Sequence, residues 1–348
     1  MQKKRSSVTK HKKITIFDST LRDGSHAVKH KLTKEQISDY AKGAEKAGVK
    51  VLMVGHGNGL GASSLHLGMS HLSDQEMLRA ARSRLKKTQL GSFIIPGFGT
   101  IKRDLDPAIS EGIKVLMVAS HCTEANITRQ HIEYGIKKGL SVYGVLMMSH
   151  MISAKELAQQ AKQMQEYGAL GVLLMDSAGS YLPRDVNEKV STLVRELTIE
   201  VGFHAHDNLG MSVANSITAV EAGATLIDTT SKGFGAGAGN CPLEVFVAAV
   251  EKMGIKTSLD LYTLMDNAEY VASKIMTQPQ GINTITLTSG LAGVFSGFAP
   301  HAVKAATNYH IDVRDLLFAL GKEGVVAGQE DIIIHLAERI SRKNKKTT

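Results

Sequence analysis

An alternation repeated eight times along the chain, a short apolar run and then usually a longer amphipathic stretch, limits the possible folds more than any other feature. The runs are Ile14 to Phe17, Val51 to Val54, Gln89 to Ile95, Val115 to Ala119, Ser141 to Met147, Gly171 to Met175, Glu200 to Phe203 and Leu226 to Thr229. Helical patterns fall at Thr33 to Ala47, Ser73 to Leu85, Glu124 to Lys138, Ser153 to Tyr167, Arg184 to Leu197 and Gly210 to Ala222, with another starting near Pro242. Three open on capping boxes, Thr33 with Gln36, Ser73 with Glu76 and Ser153 with Glu156.

The runs are nearly continuous in apolar character, as expected of parallel strands covered on both faces. Eight such units in about 250 residues predict a closed (β/α)8 TIM barrel, an α/β fold, over 14–254, with an open doubly wound sheet as the alternative. The full 348 residues exceed what one core usually serves, so an appendage is expected. The alternation breaks at 255–340, which reads as a C-terminal mostly helical extension. Within it Gly290 to Gly297 reads as a turn or a tight helix contact.

The net charge is +8, but six cations fall in a basic tail at 1–13 and four in a second at 341–348, and without those ten the body stands at −2. Such tails are usually solvated ends. A nucleic-acid partner is not expected, because aromatic residues make up 5% of the chain and tryptophan is absent. Two cysteines, Cys122 and Cys241, cannot make a disulfide framework and suit a reducing compartment. With neither a signal-like apolar segment nor a spanning run, a cytoplasmic chain with no membrane association is expected.

Polar residues collect where the apolar runs end, the place a barrel puts its chemistry. His204 and His206 are two apart at the end of the seventh run, so in a strand both rings point the same way. Asp23, after the first run, could complete a set of two imidazoles and one carboxylate with open positions, suited to Mn²⁺, Fe²⁺ or Zn²⁺. Beside it Arg22 suits an oxyanion developing on a carbonyl, and His26 titrates near neutral pH and could accept a substrate proton. Surface pairing of Arg22 with Asp23, and loop hydrogen bonds for the histidines, are the bland alternatives. The glycine run Gly233 to Gly239 lacks the context of a dinucleotide fingerprint and reads as close backbone approach to a small anion. Asn240 reads either as support or ligand for the metal or as a helix N-cap. His56, His121 and His150 read as pocket lining, and the two cysteines as buried or pocket residues without a paired base. Lys232, after the eighth run, raises the rival reading of a Schiff-base aldolase.

Six ordered motifs together resemble the 4-hydroxy-2-oxovalerate aldolase family. They are Thr20-Leu21-Arg22-Asp23-Gly24 with His26, Gly55-His56-Gly57, His121 to Ala125, Asp176-Ser177-Ala178-Gly179, His204-x-His206-x-Asn208 and Gly235 to Asn240; Gly328 to Asp331 also fits. The resemblance implies a class II pyruvate aldolase of the metal-dependent TIM-barrel lyases. It implies Mn²⁺ held by Asp23, His204 and His206, and cleavage of a 4-hydroxy-2-oxo acid to pyruvate and an aldehyde. Arg22 would stabilise the enolate, His26 would take the C4 hydroxyl proton, and Ser177 would help hold the substrate carboxylate. The implied partner is an acylating acetaldehyde dehydrogenase contacting the C-terminal region, in a homo- or hetero-oligomer, and the implied setting is aromatic hydrocarbon catabolism. An acyl-CoA-linked synthase or lyase of the same superfamily is the nearest alternative. Two positions depart from the family pattern: Asn58 stands where an aspartate is usual, and Phe295 where a tyrosine is usual. Loss of that hydroxyl leaves the metal and enolate chemistry intact and opens the aldehyde partner and stereocontrol to change, so a specialised aldolase without the dehydrogenase is a further expectation.

Overall fold

The structure, a computed structural model, describes residues 14–326 and 329–347, so the N-terminal basic tail lies outside it. Eight parallel strands close into a barrel in chain order: β1 Thr15–Leu21, β2 Val51–Val54, β3 Gln89–Ile94, β4 Val115–His121, β5 Ser141–Met147, β6 Gly171–Asp176, β7 Glu200–Ala205 and β8 Leu226–Thr229. Closure comes from β1 pairing with β8, Phe17 opposite Asp228. The helices that follow them are α1 Lys34–Ala47, α2 Asp74–Arg82, α3 Asp106–Ser110, α4 Arg129–Lys137, α5 Ala154–Glu166, α6 Pro183–Glu196, α7 Ser212–Glu221 and α8 Leu243–Lys252. The doubly wound alternative is thereby excluded.

Two cores explain why the strands read as continuously apolar. Phe17, Met53, Phe93, Met117, Leu173 and Leu226 fill the barrel interior, and the alternate residues pack under the helices. The capping boxes at Thr33, Ser73 and Ser153 all form. The third helix has no counterpart in the sequence reading, because it is five residues long and follows a wide turn over Ile101–Leu105, too short to show a period.

Two differences matter. First, β1 continues four residues past Phe17, through the buried polar residues Asp18, Ser19 and Thr20. They are stable there because they satisfy one another. Tyr40 Oη donates to Asp18 at 2.7 Å, Ser19 Oγ donates to Asp228 at 2.7 Å, and Thr20 Oγ1 accepts from the Ser231 amide at 2.7 Å. Second, α9 (Leu261–Tyr270), expected in the extension from 255 onward, lies on the barrel. The Asp260 amide donates to Ala47 O at 2.9 Å, and Asn267 fills the space where Gly43 has no side chain.

Helices α10 (Thr284–Ala292), α11 (Ala299–Tyr309), α12 (Val313–Glu323) and α13 (Glu330–Thr347) form a separate apolar cluster around Phe298, Leu316, Leu320 and Leu336. Gly290 to Gly297 ends α10 with Gly293 in the left-handed region at φ 66°. It is a tight contact as well as a turn, because a Cβ on Gly290 would lie 3.0 Å from Leu209. The stretch from 341 onward, expected as a basic tail, continues α13, so Arg342 and Lys343 are helical. Among the described residues no helix is long and apolar enough to cross a membrane.

Candidate metal centre

The extended β1 delivers Arg22 and Asp23 directly at its carboxyl end, and Asp23 opens a short 3-10 turn, Asp23–Val28, that carries His26. From β7, His204 and the following His206 point into the same mouth, with ring centroids 5.1 Å apart. One ligand atom each from Asp23, His204 and His206 lie within 4.8 Å of one another, and all three residues are buried.

Each imidazole is oriented through its Nδ1. His204 Nδ1 lies 2.8 Å from Asp228 Oδ2, and His206 Nδ1 lies 2.9 Å from the Asp176 carbonyl. Both rings therefore turn Nε2 toward Asp23, the arrangement by which an outer acceptor fixes a metal-binding tautomer. His204 Nε2 is buried and has no protein partner. A buried orphan nitrogen facing a carboxylate fits a cation. Burial pushes the His206 ring down to about 4, against the pull of Asp23, so it is neutral and able to ligate. Burial would raise the Asp23 carboxyl, but Arg22 and then the histidines outweigh it and hold it well below the carboxylate range.

Arg22 is 2% exposed and held on four sides. It meets Asp23 Oδ1 at 2.7 Å, Asp228 Oδ2 at 3.5 Å and Ser19 Oγ at 3.4 Å, with its guanidinium 4.7 Å over the Phe93 ring. The surface-pair alternative is thus excluded. Burial lowers the pKa of His26, with Asp23 opposing and Arg22 reinforcing, which favours a neutral ring.

The glycine run closes over the protein's own carboxylate, a correction to the expected small anionic ligand. The Ala236 amide donates to Asp23 Oδ2 at 3.2 Å, and a Cβ on Gly235 would overlap both Asp23 and Asn240. Asn240 donates through Nδ2 to Asp23 Oδ2, while its buried Oδ1 has no partner. The helix-cap alternative fails for Asn240, because α8 is capped at Pro242.

Ser177 is fully buried just beyond β6. Its Oγ accepts from the Met148 amide at 3.0 Å, leaving its hydrogen free, and its carbonyl accepts from Ser296 at 3.1 Å. Of the expected pocket histidines, His121 lines a cavity of about 150 Å³ with Ile95, Phe98, Met147, Phe295 and Val326. His150 instead donates through Nε2 to Gly293 O at 2.9 Å, while His56 stacks on His30. Burial pushes Cys122 and Cys241 up to about 12, as suits inert thiols. The Lys232 ammonium, half-exposed, sits 3.7 Å from exposed Glu269, which gives it none of the desolvation an imine-forming lysine needs.

Sequence reasoning missed Asp228 and His30. Asp228 is the third of the four residues of β8, and its only signal is a carboxylate inside a buried run.

Residues 13–271 match the family model described as HMGL-like, and residues 280–342 match the one described as DmpG-like communication domain. A 4-hydroxy-2-oxovalerate aldolase from Pectobacterium atrosepticum is 49% identical over 336 residues, covering 97% of this chain and 98% of the relative. This chain belongs to the 4-hydroxy-2-oxovalerate aldolase family. Another member, from Spirochaeta aurantia, is 48% identical over 333 residues, 96% of this chain and 98% of its own. The carboxyl transferase domain of Rhizobium etli pyruvate carboxylase with pyruvate and biocytin superposes with TM-score 0.81 at 15% identity, covering 96% of this chain and 61% of that one. That likeness concerns the fold alone. The aldolase family's two matched segments leave 272–279 between them, in agreement with α9 belonging to the barrel.

Proposed function

We propose that this chain is a divalent-metal-dependent carbon–carbon lyase that cleaves a 4-hydroxy-2-oxo acid to pyruvate and an aldehyde, and catalyses the reverse addition. The observation that carries the reading is the buried convergence of Asp23, His204 and His206 beside the fixed Arg22 guanidinium. The names of the relatives support 4-hydroxy-2-oxovalerate as the substrate, and breaking its C3–C4 bond gives acetaldehyde. Mn²⁺ is the ion we assign, on the family resemblance, to a donor set that also suits Fe²⁺ and Zn²⁺.

A divalent ion there supplies Lewis-acid polarisation of the substrate's 2-oxo group. Ser177 donates its free hydroxyl hydrogen to the substrate carboxylate. His26 takes the C4 hydroxyl proton as the C3–C4 bond breaks; the aldehyde leaves, and the bond's electron pair passes into an enolate. Arg22 stabilises the charge on the enolate oxygen, and a proton at C3 then gives pyruvate. Asn240 holds Asp23 in place. The cavity lined by Phe295 receives the aldehyde end, and with phenyl in place of phenol that end is recognised by apolar contact.

Three further assignments belong to this reading. An acylating acetaldehyde dehydrogenase docks on 280–342, as the communication-domain match favours. The assembly is an oligomer, and it works in the cytoplasm, where the two buried thiols stay reduced.

Metal analysis of the purified protein, coupled to a pyruvate-release screen over 4-hydroxy-2-oxo acids of increasing chain length, tests the proposal. Chelator-sensitive pyruvate release is expected. Consumption of an acyl-CoA thioester without pyruvate release would favour the synthase reading, and a borohydride-trapped adduct on Lys232 the imine one.

A further inference from the structure

The loop from Gly55 to Leu72, between β2 and α2, is built around two imidazoles that the reaction above does not use. His30 and His56 stack with ring centroids 3.6 Å apart and planes 19° from parallel, and His26 meets His30 edge to face at 4.9 Å. His30 stands in the left-handed region at φ 60°, a conformation that a bulky residue keeps only when its surroundings hold it. They do. Its Nδ1 lies 3.0 Å from Ser25 Oγ and accepts from the Gly57 amide at 3.4 Å, and its carbonyl accepts from the His71 amide at 3.0 Å.

His56 Nδ1 accepts from the Asn58 amide at 3.0 Å, so Nε2 carries the hydrogen and donates to Gly68 O at 3.0 Å. The loop's glycines leave space for the rings. A Cβ on Gly57 would overlap His26, and one on Gly68, itself at φ 98°, would lie 2.7 Å from His30 Cδ2. Burial keeps both stacked rings neutral, His30 down at about 2 and His56 at about 4.

Gly57 links the stack to His26. Its amide donates to His30 Nδ1 at 3.4 Å, and it packs so closely on the His26 ring that a Cβ there would lie 2.3 Å from His26 Nε2. Arg22 reaches this peptide too, through the Gly57 carbonyl at 3.5 Å, but it has Asp23, Asp228, Ser19 and Phe93 to hold it without Gly57.

We propose that the His30–His56 stack is a positioning device for His26: it holds the Gly57 peptide and the edge of His30 against the His26 ring, which fixes the orientation in which that ring takes the substrate hydroxyl proton. The inference rests on His26 being the base. His30 and His56 touch no substrate and act only through the loop.

A double-mutant cycle in the full-length, Mn²⁺-loaded protein tests it, with kcat for 4-hydroxy-2-oxovalerate cleavage measured in single turnovers. His30→Asn is the first variant, since asparagine tolerates left-handed backbone. His56→Gln is the second, since glutamine keeps a donor toward Gly68 while removing the ring face. In the parent each should lower kcat by roughly tenfold or more with KM within about twofold, as expected for a misplaced reacting group. In a His26→Ala background the same changes should cost less than about twofold, because nothing remains for the stack to position.

Equal losses in both backgrounds, or no loss in the parent, overturn the proposal. Should His30→Asn fail to fold in thermal unfolding, His56→Gln carries the same prediction. Near-normal cleavage by His26→Ala alone would instead refute the base assignment, an outcome distinct from failure of the stack.

Discussion

Nδ1 of His204 and Oδ2 of Asp228 lie 2.8 Å apart on paired strands, in register across β7 and β8. The same carboxylate accepts from Ser19 Oγ at 2.7 Å and faces Arg22 at 3.5 Å. One buried aspartate thus orients an imidazole on one side and a guanidinium on the other, and ties the candidate metal ligand to the candidate enolate stabiliser.

Asp228→Asn tests that tie. An amide in this position removes the charge and half of the acceptor capacity facing His204, and outer-shell changes of this kind typically cost about 10- to 100-fold in metal affinity. Calorimetric titration of Mn²⁺ into the metal-free variant checks it; affinity equal to the parent's would mean that Asp228 serves Arg22 alone.

Arg22→Ala should lower kcat by roughly a hundredfold or more, about 3 kcal/mol in the barrier, with a much smaller change in KM. Because Asp23 and Asp228 would lose their buried cation, the variant should also melt earlier. Pyruvate-release kinetics below the melting range separate the two effects, and near-parental turnover would end the assignment.

Gly235→Ala should weaken metal binding although position 235 ligates nothing. The added methyl must displace either Asp23 or Asn240, both of which are buried and pinned. Asn240→Ala should be milder, since Asp23 keeps the Ala236 amide and Arg22. Metal titration of the pair establishes the order; the reverse order would make Asn240 more than a support.

Acidification should destabilise the metal-free protein. His30, His56, His150 and His206 have folded-state pKa values pushed down to about 2, 4, 4 and 4 by burial. A histidine depressed in this way binds its proton first in the unfolded chain, so stability is complete above about 6.5 and is lost as pH falls from there toward the folded value. The limiting slope is about 1.4 kcal/mol per pH unit for each ring. Asp18 and Asp176, raised to about 6 by burial, act in the opposite sense below that pH and offset part of the loss. Thermal unfolding with chelator from pH 7.5 to 5 should show a falling Tm, with a shallower slope in His56→Gln; a flat profile would contradict neutral burial of these rings.

The barrel was legible because its strands are largely apolar on both faces and three of its helices open on capping boxes. The boundaries of β2, β5 and β8 and all three capping boxes follow from local residues, and local rules hold for contacts made within a few positions. The extension of β1 was not legible. Asp18 looks like the end of a strand until Tyr40 and Ser231, distant in sequence, are found to satisfy it and its neighbour Thr20.

The site divides in the same way. The amino-acid sequence by itself determined the barrel, the pairing of two imidazoles on one strand face, and the presence of Arg22 and Asp23 at a strand end, because periodicity decides which way neighbouring side chains point. Only the tertiary structure decided that Asp23 reaches those imidazoles, that Asp228 orients one of them, that the glycine run encloses Asp23, and that His30 and His56 stack beneath the loop reaching His26. Each of these relationships joins residues from separate strands or loops, and closure of the barrel is what brings their ends into one mouth.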